Sequence, residues 1–187
     1  MYQDTLDEVR VLERYIILLL GVVDRPIPSL EHLQKELFIL SRVNPRVAEL
    51  IHFEKHYKGP FSQNVAEVVN NPVYYTDAFR RDREGRCWIT PEGKKIYEEL
   101  VRENAGKPGF SHLLAVMKAI RELYDALSKE ELLFLIYVTY PEYQEKSSFS
   151  DQLLSPERKR KIAEKLLEKG LITEERYREL VGSDEQN

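Results

Sequence analysis

The chain has 187 residues, 42% of them hydrophobic and 32% charged, with a net charge of −4 at pH 7. This length and composition predict a folded protein with one large core or two smaller ones, and they exclude general disorder and a surface covered in phosphate-binding groups. The single cysteine, Cys87, excludes an intrachain disulfide, a Cys-based zinc finger and a CxxC redox site. It favours a reducing, cytoplasmic setting.

A first helix is predicted over about residues 6–20, because apolar side chains recur there at helical spacing and also fill the remaining faces. The main stripe consists of Leu12, Tyr15, Ile16 and Leu19. The apolar run 15–23 is much shorter than the roughly 20 residues that span a bilayer, and residues 1–10 are acidic instead of basic. We therefore expect a buried helix, neither a signal peptide nor an anchor, and no membrane partner.

A second helix is predicted after Ser29, which is a suitable N-cap. Its apolar stripe consists of Leu30, Leu33, Leu37 and Leu40. Asn44-Pro45 then breaks the helix or restarts it as a short third helix over about residues 45–51. Residues 53–58 look extended, and Gly59-Pro60 is predicted to turn the chain.

The following segment has the order of a recognition-type helix followed by a wing. A helix is predicted from about Ser62 to Asn71-Pro72, with Phe61, Val65, Val68 and Val69 facing inward and Gln63, Asn64, Glu67 and Asn70 facing outward. Residues 74–81 and 86–89 are then predicted to pair as a hairpin about the charged turn Arg83-Glu84-Gly85.

The rest of the chain is predicted to be helical. Thr90-Pro91 opens a helix that continues to about Asn104, and Gly106-Lys107-Pro108-Gly109 is predicted to be a linker. Further helices are predicted from Phe110, from the capping box Ser128 to Glu131, from Ser155-Pro156 to Gly170, and from Thr173 to about Leu180. Residues 183–187 are expected to be disordered. The predicted domains are a winged-helix-like domain over 1–105 and a C-terminal helical domain over 110–182.

Positive charge is concentrated in the hairpin and the helix that follows it. Residues 79–95 contain six basic and three acidic side chains, so this segment carries +3 and the remainder −7. The candidate phosphate-binding residues are Arg80, Arg81, Arg83 and Arg86, and the candidate base-reading residues are Gln63 and Asn64, whose amides can pair with adenine edges. Residues 61–71 contain no Lys or Arg, and a simple solvated hairpin explains the arginines equally well.

No catalytic or metal-binding pattern stands out. His52 and His56 are four residues apart, but the segment HFEKH is not HExxH and lacks a third ligand nearby. Cys87 is expected to be a small core residue. No nucleophile–base arrangement or Gly-rich phosphate loop is evident. We therefore expect a protein that is not an enzyme and that has no metal or cofactor.

Two family resemblances concern residues of about 30–95. A resemblance to the Panacea family of antitoxin-like domains is carried by three segments: LQKELFIL (33–40), FEKHYKGPFSQNVAEVV (53–69) and WITPEG (88–93). The chain departs from the family pattern by one residue, since Lys58 stands between the tyrosine and Gly59-Pro60. This resemblance implies a non-enzymatic, mostly helical domain that neutralises a toxin or contributes to operon regulation. The step Thr90-Pro91-Glu92-Gly93 resembles the wing exit of winged-helix transcription regulators.

The expected fold is therefore mostly α with a small β-hairpin, as a winged helix-turn-helix-like domain plus a C-terminal helical region. The first functional hypothesis is a regulator that binds double-stranded DNA, as a homodimer through the C-terminal helices. The second is a protein-binding module, toxin-neutralising or scaffold-like, that binds no nucleic acid. The two hypotheses share the same fold and differ in their partner.

Overall fold

The computed structural model describes the backbone of residues 2–182 and the side chains of residues 7–182; the predicted disorder of 183–187 lies outside this range. The described residues form ten α-helices and two short β-hairpins, which confirms the expected mostly α fold class with a small hairpin. Within this range, no helix is both long and apolar enough to cross a membrane. The first seven elements are α1 (Tyr2–Gly21), α2 (Leu30–Val43), α3 (Pro45–Leu50), β1 (Glu54–His56), β2 (Gly59–Phe61), α4 (Gln63–Asn70) and β3 (Phe79–Arg81). They are followed by β4 (Cys87–Ile89), α5 (Pro91–Asn104), α6 (Phe110–Tyr124), α7 (Lys129–Thr139), α8 (Ser150–Leu153), α9 (Pro156–Glu168) and α10 (Glu174–Gly182).

The helices begin largely where local chemistry predicts. The Ser29 side chain accepts a hydrogen bond from the backbone of α2, and Thr90 does the same for α5. Asn44 ends α2 and caps α3, while Ser128 and Glu131 form a complete capping box at α7. These four caps confirm the predicted helix starts. Ser155 lies at the N-cap of α9, but its hydroxyl instead donates to the carbonyl of Gln152.

The chain divides into two compact units. The first consists of residues up to Glu54 together with Ser62–Ala126, and the second of Lys55–Phe61 together with the chain from Leu127 onward. This division does not fall at the predicted linker 106–109, because α6 packs on α1 and α2 and belongs to the first unit. The linker does interrupt the helical chain, and Gly109 there has a φ of 79°.

The first unit is built around α1, which contacts α4, α5, α6 and β4. Its apolar side chains are buried on nearly every side, as the sequence predicts. The fully buried members include Ile16, Ile17 and Leu19 of α1 and Leu33, Leu37 and Leu40 of α2. Burial of this kind supplies most of the stability of a helix in a protein.

The predicted hairpin forms, although its strands are shorter than expected. β3 and β4 pair antiparallel with Arg80 opposite Trp88, and residues 73–78 form bends and turns where a strand was predicted. Ile27, in the segment before α2, pairs with Cys87 through two backbone hydrogen bonds, of 3.0 and 2.9 Å. The hairpin is thereby joined on its β4 side to the segment after α1.

The β1–β2 hairpin, most of which belongs to the second unit, was not predicted from the sequence. Gly59-Pro60 was expected to be a turn, but both residues belong to β2. The turn is formed by the two preceding residues, Tyr57 and Lys58. Gly59 has a φ of 80°, which an L side chain rarely adopts, and this explains a glycine at the start of the strand. The helical part of this unit is centred on Phe134, Tyr137 and Ala163, all fully buried.

We expect Gly93→Ala to destabilise the protein by about 1–3 kcal/mol, because a Cβ there would overpack the contact between α5 and the hairpin. A Cβ on Gly93 would lie 1.9 Å from the carbonyl oxygen of Ala78. Gly106→Ala is the matched control, since no atom lies within 4 Å of its added Cβ. Urea unfolding followed by the fluorescence of Trp88 would measure the difference, and equal midpoints for both variants would contradict the prediction.

Candidate functional site

The start of α4 is fixed by Gln34, a buried side chain of α2. The buried Gln34 amide donates to the carbonyl of Ser62 and accepts from its N–H, both at 2.9 Å. The apolar face of α4 packs into the first unit through Val65, Val68 and Val69. The opposite, exposed face consists of Gln63, Asn64, Glu67 and Asn70, as predicted from the sequence.

A buried carboxylate holds the segment that connects α4 to the hairpin. Glu13 of α1 is fully buried and accepts backbone hydrogen bonds from Val73 at 2.6 Å, Tyr74 at 3.0 Å and Tyr75 at 2.7 Å. The adjacent Arg14 donates from Nε to the Tyr75 hydroxyl at 2.8 Å. Sequence reasoning missed Glu13, although an acid in a helix that is otherwise apolar on all sides was a signal.

The hairpin tip is organised by Asp82. Its carboxylate accepts from the backbone N–H groups of Glu84 and Arg86, from Arg86 Nε at 2.8 Å and from Trp88 Nε1 at 2.7 Å. Although desolvation opposes the shift, the bonds from Trp88 and Arg86 lower the pKa of Asp82 to about 2. Asp82 therefore stays ionised across the neutral range and fixes the indole of Trp88 beside the tip.

The four candidate arginines have different surroundings. Arg86 is engaged with Asp82 and Glu84, and its guanidinium lies 5.4 Å from the centre of the Trp88 ring. Arg81 donates to the Asn70 side chain at 3.0 Å, which connects the hairpin to the C-terminal end of α4. Arg80 and Arg83 are exposed and form no ion pair within residues 7–182. Two of the four predicted phosphate ligands are thus unpaired.

The two candidate base-reading residues lie at the far end of the same helix face. Gln63 is about 10 Å from Asn70 along α4, at about 1.5 Å per residue. The Gln63 amide donates to Glu67 at 2.9 Å. Asn64 lines a small cleft together with Glu8 and Glu67. This half of α4 is therefore acidic, whereas the half beside Arg81 is basic.

The histidines and the cysteine that the sequence singled out lie in different elements. His52 lies in a loop and His56 in β1, where its ring stacks on Phe61 at 4.9 Å, so the helical spacing considered for a metal pair does not apply. Within the described side chains, no group of three His, Cys, Asp or Glu residues is placed to hold a metal ion. Burial raises the pKa of the Cys87 thiol to about 12, which leaves it protonated and unreactive as a core residue.

A buried cluster of charged side chains around Arg121 fixes the chain that pairs with the hairpin. Sequence reasoning did not find this cluster. Arg121 of α6 is fully buried and donates to the carbonyls of Leu19 and Arg25, both at 2.7 Å. It also pairs with Asp125 at 3.0 Å. Because these carbonyls lie at the end of α1 and in the loop after it, Arg121 fixes the chain just before Ile27 pairs with β4. In the sequence, the nearby apolar residues Met117 and Ile120 were the signal that Arg121 is buried.

Comparison of the sequence with protein-family models and with curated proteins finds no match. The geometry of α4 and the β3–β4 hairpin therefore carries the functional argument by itself.

Proposed function

We propose that the protein is a non-enzymatic regulator that binds double-stranded DNA through the β3–β4 hairpin and the adjoining end of α4. The observation that carries the proposal is the pair of unpaired, exposed guanidinium groups of Arg80 and Arg83 on a hairpin joined to α4 by the Arg81–Asn70 hydrogen bond. In a protein of net charge −4, unpaired cations concentrated on one projection favour an anionic partner.

The order of elements supports a winged-helix interpretation of this region. The two-way backbone pairing of Ile27 with Cys87 adds a third strand position beside β4, and α4 precedes the hairpin in the place of a recognition helix. In such a docking, the helix lies in the major groove and the hairpin contacts the backbone.

The proposal gives different roles to the two ends of the site. Arg80 and Arg83 contact phosphates, and Arg81, which binds Asn70, adds positive charge where the hairpin meets α4. Gln63 and Asn64 face base edges, although the carboxylates of Glu8 and Glu67 beside them oppose close approach of phosphate. Arg86 orients the Trp88 indole and the hairpin tip instead of contacting DNA directly. Dimerisation through the C-terminal helices belongs to the same proposal.

A protein-binding module is the second candidate, favoured by a different observation. Val73, Tyr74 and Trp88 are exposed large side chains on the hairpin and on the segment leading to it. Aromatic residues are enriched at the centres of protein interfaces, and the acidic half of α4 suits a basic protein better than DNA. A toxin with a basic surface is such a partner.

We expect Arg80→Ala/Arg83→Ala to weaken DNA binding at least about tenfold at low salt, because each phosphate contact contributes to affinity by counterion release. Fluorescence anisotropy with a labelled mixed-sequence duplex, between about 50 and 200 mM salt, measures both affinity and salt slope. The slope of the logarithm of the binding constant against the logarithm of the salt concentration should become shallower by about two in the double variant.

The control is Arg176→Ala/Arg178→Ala, which removes the same charge from α10, where Arg178 is exposed and Arg176 is half-buried. If it weakens binding as much as the hairpin variant does, the attraction is nonspecific and the proposed site is wrong. If the unmodified protein shows no salt-sensitive affinity for duplex DNA, the regulator hypothesis fails. A stoichiometric protein complex that survives nuclease treatment would then support the second candidate.

A further inference from the structure

An open cavity of about 520 Å³ lies within the first unit, separate from the residues of the hairpin. It is lined by the middle of α1, the start of α3, the end of α5, the linker after α5 and the start of α6. Its volume is in the range of small-molecule sites, which are commonly about 300–1,000 Å³. None of the DNA-binding residues proposed above lines it.

The floor of the cavity is apolar. Leu18, Leu100, Phe110 and Leu113 line it from three different helices. Leu18 and Leu100 are almost completely buried, so they belong to the core and offer a rigid surface. An apolar floor of this kind favours a ligand with a hydrocarbon or aromatic body, because its burial removes apolar surface from water.

The rim of the cavity carries three cations and no acid. Arg14, Arg46 and Lys107 line it, and none of its lining residues is Asp or Glu. Within residues 7–182, none of these three side chains forms an ion pair. Arg14 donates from Nε to the hydroxyl of Tyr75, which is not an ion pair. Three uncompensated positive charges around one cavity favour an anion there.

Tyr15 supplies a neutral donor between the floor and the rim. Burial raises the pKa of its phenol, against the opposing effect of Arg46, so the hydroxyl keeps its proton at neutral pH. A phenol that remains protonated can donate a hydrogen bond to a carboxylate, while the guanidinium of an arginine can bind the same group with two N–H donors.

We propose that this cavity binds a small organic monocarboxylate with an apolar body, whose carboxylate is held by Arg46 and Lys107 and whose apolar part lies on Leu18, Leu100 and Phe110. The site is independent of the DNA proposal. Arg14 nevertheless connects it to the hairpin segment through Tyr75, so a bound carboxylate that attracts Arg14 would act on the chain between α4 and β3.

Calorimetric titration with hexanoate and benzoate tests the proposal, with hexanamide, benzamide and inorganic phosphate as comparison probes. At least one carboxylate should bind saturably, and its amide should bind at least about tenfold more weakly, because a hydrogen bond to a charged group is about twice as strong as a neutral one. Phosphate should bind more weakly than the carboxylate, since it cannot use the apolar floor.

The decisive variant is Arg46→Gln/Lys107→Gln, because both side chains are exposed and their loss should leave the fold intact. It should weaken carboxylate binding at least about tenfold. Arg102→Gln/Lys118→Gln removes the same charge from exposed positions on α5 and α6 outside the cavity, and should bind normally. The proposal is overturned if neither carboxylate binds, if phosphate or an amide binds equally well, or if both double variants behave alike.

Discussion

Arg121→Met is expected to destabilise the first unit by about 3–5 kcal/mol, the cost of removing one partner from a buried ion pair. The Arg121 side chain is fully buried and its partner Asp125 nearly so. The methionine would fill much of the space but would leave the Leu19 and Arg25 carbonyls without their donor. Asp125 would keep its pair with the half-exposed Arg25, at 2.9 Å.

Trp88 is the single tryptophan and lies in the first unit, so its fluorescence during urea unfolding reports on this unit. A loss of less than about 1 kcal/mol would contradict the prediction, because it would show that the carbonyls find other donors or water. Arg178→Met, at an exposed position on α10, serves as the matched control and should leave the Trp88 transition unchanged.

Glu36 is the second acid near Arg121, after Asp125, and it is tested with a different substitution. Burial and then the nearby Asp125 raise the pKa of Glu36 well above its usual value of 4.5, although Arg121 opposes the shift. Within the described residues, no donor reaches either of its carboxyl oxygens, and Arg121 Nε is 3.7 Å away. Burial in the folded protein therefore favours the protonated form of Glu36, and a glutamine closely resembles that form.

The sign of the pH dependence follows from this raised pKa. The stabilisation associated with protonated Glu36 is fully present below pH 4.5 and is lost as the pH rises towards the folded-state pKa. Glu36→Gln should escape this loss, so its stability relative to the unmodified protein should improve with rising pH. A relative stability that falls instead would mean that Glu36 is ionised and stabilises Arg121.

The elements that the sequence predicted well are those with local causes. The caps Ser29, Thr90 and Ser128 bond to backbone three residues away, and Gly85, with a φ of 84°, serves a turn within the hairpin. Such short-range chemistry is visible in a pattern of residue types. The exposed face of α4 was predicted for the same reason, since it follows from helical periodicity.

The features that the sequence could not show depend on partners far along the chain. Gln34 binds Ser62 across 28 residues, and Arg121 binds Leu19 across 102. No periodicity states which distant carbonyl a buried charge will meet. The candidate site was affected in the same way, because residue types placed four arginines on the hairpin but did not reveal that Asp82 and Glu84 engage Arg86 while Arg80 and Arg83 stay unpaired.

Glu13→Ala should destabilise the first unit by about 3–5 kcal/mol, because three backbone N–H groups lose their acceptor and each such loss costs about 1–3 kcal/mol. Partial access of water to Val73 and Tyr74, which are exposed, keeps the total below the upper sum. The stability of Glu13→Gln should lie between those of the unmodified protein and Glu13→Ala. An amide offers one acceptor oxygen but turns its own N–H donors towards the remaining backbone N–H groups.

The same loss should release the segment between α4 and β3, because Glu13 accepts from the N–H groups of three consecutive residues, Val73, Tyr74 and Tyr75. Amide hydrogen exchange measured under native conditions should therefore show lower protection at these three residues in Glu13→Ala. Glu8→Ala, an exposed acid on the same helix, is the control and should alter neither stability nor exchange. Unchanged protection in Glu13→Ala would mean that packing of the Tyr75 ring, and not the carboxylate, fixes the approach to the hairpin.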